Sequence, residues 1–101
     1  MQCIINIKGE AVMNIKNFEG KEIEIIYKKV PEIFEAEGLC DDPNAYEHPH
    51  ILVDKNLKPR RQLNVLIEEV FHAYFFDLPE WKARKFAANL GKVIYNKYLK
   101  K

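Results

Sequence analysis

A chain of 101 residues has room for one hydrophobic core, so a single domain spanning residues 1–101 is expected. Hydrophobic residues make up 48% and charged residues 31%, the balance of a globular protein rather than a disordered one. A net charge of +1 supplies no general attraction to nucleic acid or to an anionic membrane, and the basic end at 97–101 reads as a solvated helix terminus. No apolar run approaches the roughly 18 residues of a membrane span, and the N-terminus lacks a signal-peptide pattern. Cys3 and Cys40 lie too far apart for a metal-type pair, so a reduced, cytoplasmic protein is the simplest expectation.

The first third of the chain is patterned for strands. Residues 2–8 and 11–18 are rich in Ile, Val and Met, with Gly9-Glu10 as a tight turn between them. Asn17-Phe18-Glu19-Gly20 is a second turn signal, followed by the alternating run 22–27, in which Ile23 and Ile25 face one way and Glu22, Glu24 and Ile26 the other. Val30-Pro31 breaks the strand, and 32–37 fits one or two helical turns ending at Gly38. Residues 39–50 have loop chemistry, with two prolines and an Asp pair. The apolar run Ile51-Leu52-Val53-Asp54 predicts a fourth strand.

Pro59 sits where a helix should start, and helical periodicity runs from about Arg60 to Phe76. At about 100° per residue, Leu63, Leu66, Ile67, Val70, Ala73 and Tyr74 share one side. Val65, Glu68, Glu69, His72, Phe75 and Phe76 share the other. A second side built from Val and Phe predicts that both are covered, with the carboxylates buried or in a cleft. Such groups hold a partner, a proton or a metal ion, because unpaired buried charge is costly. Asp77 then reads as a cap and Glu80 as its capping-box carboxylate. The last helix carries Ala83, Phe86, Ala87, Leu90, Val93, Ile94 and Tyr98 on one stripe. Strands first and helices last make the class α+β, with a small antiparallel sheet of three to four strands packed on two C-terminal helices.

From Gly38 to the C-terminus, about half the chain, this layout resembles the zincin-like metallopeptidases of the ImmA/IrrE and SprT kind, especially their short phage and metagenomic versions. In that family a strand ending in Ile-x-Val/Ile-Asp is followed by a turn and a helix bearing Thr-Leu-Ile-His-Glu-x-x-His-Ala. Here Ile51–Asp54 precede Leu63-Asn-Val-Leu-Ile-Glu-Glu-Val-Phe-His-Ala73. The motif is Glu-Glu-x-x-His, with Glu68 where the family has its first zinc-binding histidine. The resemblance implies Glu68 and His72 as metal ligands, Glu69 as the catalytic general base, and Glu80 on the next helix as third ligand. An alternative alignment on the Ala-x-x-Phe-Ala segment puts Lys82 at that last position, where a protonated amine cannot ligate.

The chemistry sets what such a site needs. Ligands four residues apart on a helix point the same way and can close on one zinc or manganese ion. The ion lowers the pKa of its water from about 16 toward 7 and polarises the scissile carbonyl. A carboxylate in place of the first histidine adds negative charge and weakens that Lewis acidity. The resemblance therefore implies a metal-dependent peptidase-like protein acting on a peptide laid along the edge strand at 51–54. A non-catalytic, phage-type binding or regulatory module on the same scaffold is the alternative. A plain assembly protein dimerising through an edge strand or the aromatic-rich helix is a third reading.

Other residues have two readings each. Glu80 is a helix cap or a ligand. His48 and His50 are loop surface, or they reach the site and replace the missing histidine. Cys40-Asp41-Asp42 is a turn or a ligand group. Trp81, Tyr74, Phe75 and Phe76 form core or groove wall, and they lack the interleaved basic residues of a nucleic-acid stacking platform.

Overall fold

The computed structural model describes residues 10–100 as a four-stranded sheet and two helices. The strands are β1 (Glu10–Lys16), β2 (Glu22–Lys28), β3 (Gly38–Cys40) and β4 (His50–Asp54), and the helices are α1 (Pro59–Tyr74) and α2 (Glu80–Ile94). The α+β class and the two C-terminal helices are as expected. The expected strand at 2–8 lies outside the described residues, and Glu10 belongs to β1 rather than to a turn. No helix among the described residues is long and apolar enough to cross a membrane.

The sheet order is β1-β2-β4-β3, and it is mixed rather than antiparallel. β1 and β2 form the expected hairpin. Asn17 builds its turn: the side-chain Oδ1 accepts the N–H groups of Glu19 at 3.1 Å and Lys21 at 2.9 Å. Gly20 takes the left-handed φ of 79° that this turn requires. β2 then pairs in parallel with β4, in the register Ile25 with Ile51 and Tyr27 with Val53. The chain between them crosses over through a 3₁₀ turn at Glu32–Phe34 and lays down β3 before turning back antiparallel into β4.

Alternation along β2 and β4 sorts the core into two faces. Ile23, Ile25, Ile51 and Val53 meet Val65 and Ala73 of α1. On the reverse face Ile26, Leu52 and Leu39 line up across three strands, with Val30 beside them. Leu52 and its neighbours in β4 are fully buried on both faces, as a continuous apolar run in a parallel pair should be.

α1 begins at Pro59, whose missing N–H costs nothing at the first helical position. It ends two residues earlier than the periodicity suggests. Asn17 Nδ2 donates to the Ala73 carbonyl at 3.4 Å, and the Tyr74 hydroxyl donates to the Lys16 carbonyl. Both bonds satisfy or tie down the last turn against the β1–β2 hairpin. Ala83, Ala87 and Gly91, four residues apart, are the buried residues of α2. At Gly91 the helices are so close that a Cβ would lie 2.0 Å from Asn64 Oδ1. The larger apolar residues expected beside them, Phe86, Leu90, Val93 and Tyr98, are exposed instead. A one-turn π-helix at Tyr95–Leu99 closes the described chain.

Candidate functional site

One face of α1 carries Arg61, Val65, the adjacent pair Glu68 and Glu69, and His72, each three or four residues from a neighbour one turn away and so stacked in a column. β3 lies against this column. Gly38 makes the approach possible, because a Cβ there would sit 2.5 Å from Val65 Cγ1 and 3.0 Å from Glu69 Oε2. The strand therefore passes directly over the Glu69 carboxylate. The result is a cleft of about 350 Å³ between β3 and the two helices, bordered by Glu37, Gly38, Arg61, Glu68, Glu69 and Glu80. It continues past Cys40 and His72 into a second hollow of about 530 Å³.

Glu80 enters the cleft from the first turn of α2. It is not the capping-box residue expected from sequence. Pro79, not Asp77, occupies the N-cap position, and no side chain caps the helix. The Glu80 carboxylate instead reaches His72, with Oε2 at 2.9 Å from Nε2. Its other oxygen lies 3.7 Å from Arg84 Nε. Arg61 is held by Glu37, through Nη2 at 2.7 Å and Nε at 2.8 Å to Oε1. Both arginines of the cleft are thus already engaged by Glu37 and Glu80.

Glu68 and Glu69 are 9% and 8% exposed. Burial pushes the Glu69 carboxyl up to about 8, and the neighbouring charges of Glu80 and Glu68 add to the effect, with no cation offsetting them. Burial raises Glu68 too, but Arg61, Arg84 and His72 pull it back. The Cys40 thiol, on the strand above, is pushed up strongly by burial first and then by Glu69 and the two following aspartates. It lines the second hollow as a partly buried free thiol.

Of the four candidate site residues of the sequence, Glu68, Glu69 and Glu80 line the cleft, and His72 lines the hollow that continues from it, beside Glu69 and Glu80. As ligands they are less complete. His72 and Glu80 meet, yet among the described residues no three His, Cys, Asp or Glu side chains are grouped so as to hold a metal ion. A catalytic zinc takes three protein ligands and an open position. The arrangement offers a pair of donors rather than that triad.

The remaining candidates lie elsewhere. His48 and His50 do not reach this cleft. They line a separate pocket with Asn14, Glu22, Glu24 and Glu47, and His50 Nε2 is 3.7 Å from Glu24 Oε1. Cys40 lies in β3 and the turn expected at 40–42 falls at 43–45 instead; Asp41 is buried, and its Oδ2 accepts the His50 N–H at 2.9 Å. Asp42 Oδ1 accepts the Asn44 N–H at 2.9 Å. The strand at 50–54 is interior to the sheet, so among the described residues the edge beside the site is β3. Flanking β3, the Glu37 carbonyl accepts the Asp54 N–H and the Asp41 N–H donates to the His50 carbonyl. Alternation then turns the N–H and C=O groups of Gly38 and Cys40 toward the open side.

Three participants leave little or no mark in the sequence: Glu37, Gly38 and Arg84. Arg84 carries the one usable signal, its i, i+4 spacing from Glu80. No protein-family model, curated protein or solved structure matches this chain.

Proposed function

We propose that this chain is a protein-binding module on a peptidase-like scaffold, in which the carboxyl cleft recognises a cationic side chain of an extended partner segment. The segment pairs with the open edge of β3, through the main-chain groups of Gly38 and Cys40. Its lysine or arginine side chain descends past Gly38 onto Glu69, flanked by Glu68 and Glu80. The observation that carries this reading is the position of Glu69: buried beneath an edge strand, beside two further carboxyls, with both nearby arginines already engaged. A guest cation supplies the missing counter-charge, returns Glu69 to its ionised form and releases a proton.

The test is calorimetric titration at neutral pH with a short extended peptide bearing a central lysine, in two buffers of different ionisation enthalpy. Binding with release of part of a proton is expected, and Glu69→Gln should abolish the release. A peptide with glutamate in place of lysine should bind more weakly; equal binding of the two would defeat the proposal.

The 2.9 Å contact between His72 Nε2 and Glu80 Oε2 favours a second reading, the metal-dependent peptidase implied by the Glu-Glu-x-x-His resemblance. Donor atoms on one zinc lie about 3.3 Å apart when bonds are about 2.0–2.1 Å, so this pair needs little movement to share an ion. Residues that would hold zinc or manganese are His72 and Glu80, with Glu68 turning in as the third. Elemental analysis of untagged protein and of His72→Ala separates the readings. About one metal per chain, lost in the variant and accompanied by peptide hydrolysis, supports the peptidase.

A further inference from the structure

A second concave surface shares no residue with the carboxyl cleft. It runs along the outer flank of α2, where Phe86, Leu90 and Val93 meet Phe71 of α1 in a groove of about 580 Å³. The Phe71 and Phe86 rings are 5.3 Å apart and form its floor. From Trp81 to Val93 the groove is about 18 Å long at the rise of an α-helix. Val93 is 63% exposed and Phe86 48%, so large apolar side chains face solvent along three turns of one helix. The rim is charged with one sign: Lys82 and Lys85 border the groove, and none of the described acidic residues lines it.

We infer that this groove binds an amphipathic helix of a partner protein whose apolar stripe is flanked by Asp or Glu. Apolar anchors spaced i, i+3 or i+4 and i+7 fit into the hollow over Phe71, and the acidic flank meets Lys82 and Lys85. Charge argues against a second copy of this chain. Between Glu80 and Leu99 the only acid is Glu80, which is engaged by His72 and Arg84, whereas Lys82, Lys85, Lys92 and Lys97 are spread along the helix. Two-fold pairing through this face would set lysine against lysine. Against a bilayer, a net charge of only +1 gives the chain little general attraction to an anionic surface.

Trp81 is the only tryptophan in the chain and lines the groove, so its fluorescence reports occupancy directly. The probes are two synthetic helical peptides with the same leucine stripe, one flanked by glutamate and one by lysine, together with phosphatidylglycerol vesicles. The glutamate peptide should shift Trp81 emission to the blue saturably. Its affinity should exceed that of the lysine peptide by about tenfold or more, and should fall as salt is raised from about 50 to 300 mM. Phe86→Ser should remove binding. Lys82→Glu with Lys85→Glu should reverse the preference between the peptides; all three positions are exposed, so the fold is retained. Equal affinity for both peptides, a blue shift with vesicles but not with peptide, or unchanged binding in the charge-reversed variant would overturn the inference.

Discussion

Replacing Glu69 with glutamine should make the protein more resistant to alkaline destabilisation, by an amount that grows with pH. In the folded state the Glu69 carboxyl sits at about 8, against an ordinary value of 4.5. Between those values the native state holds a proton that the unfolded chain has lost, so stability falls as pH rises. The slope is about 1.4 kcal/mol per pH unit, with an upper bound of about 5 kcal/mol across the window. Below about pH 4.5 both states are protonated, and the cost of ionising a buried group is absent. Glutamine keeps the shape and polarity of the protonated acid but has nothing to ionise. Urea unfolding of both proteins between about pH 5 and pH 9 gives the difference in free energy at each pH. The two should be close at the acid end, and the variant should lead by a few kcal/mol at the alkaline end. A gap that stays constant with pH would show that Glu69 is solvated, and would remove the physical basis of the proposed cation site.

Neutralising Glu80 with glutamine should lower the Glu69 carboxyl pKa more than Glu68→Gln does, because the Glu80 carboxylate raises it more than Glu68 does; carbon-detected NMR titration of the side chain reads it. Gly91→Ala should destabilise by about 1–3 kcal/mol, since the new methyl meets Asn64 Oδ1. The companion Asn64→Ala should restore much of the loss, a positive coupling that a double-mutant cycle measures. Asn17→Ala removes the acceptor for two turn N–H groups and the tie to α1. It should cost about 2–3 kcal/mol, seen as a Tm lowered by roughly 10 °C or more. Gly38→Ala drives a Cβ into Val65; it should weaken β3 and reduce lysine-peptide binding, with partial recovery in Val65→Ala.

The parts of the fold legible in the sequence are those that local pattern encodes. Alternation at 22–27 and helical periodicity after Pro59 locate β2 and α1, because each writes its own period into the chain. Parallel pairing of β2 with β4 leaves no such trace. A hairpin has a turn signal between its strands, whereas a crossover joins strands through chain that carries no pairing information. The apolar run at 51–54 is a hint, since burial on both faces favours an interior strand, but the peptidase resemblance points to an edge there. β3 is too short at three residues to show alternation at all. In α2 the stripe of Phe86, Leu90 and Val93 has the look of core, yet the close approach to α1 is made by Ala83, Ala87 and Gly91. Small residues mark a tight helix crossing as surely as large ones mark a loose one, and they displace the larger side chains onto the surface.

Glu80 shows how one residue can satisfy a local rule and a tertiary one that compete. Three residues after Asp77, it meets the sequence requirement of a capping box, whose energy is on the order of 1 kcal/mol. In the folded chain it is recruited to His72 and Arg84, and α2 starts later, at the residue following Pro79. The helix forgoes its side-chain cap while a third carboxyl is brought to the cleft that already holds Glu68 and Glu69. Concentrating like charge beneath an edge strand is unfavourable on its own. Arg61 and Arg84 offset Glu68, but not Glu69. A cationic side chain arriving at Glu69, or a metal ion held beside it by His72, Glu80 and Glu68, would offset the same charge. They differ in what they ask of His72: a lysine guest leaves its hydrogen bond to Glu80 intact, whereas a metal must replace the proton between the two at nearly the same separation. The His72–Glu80 contact is therefore the place where binding and peptidase readings part.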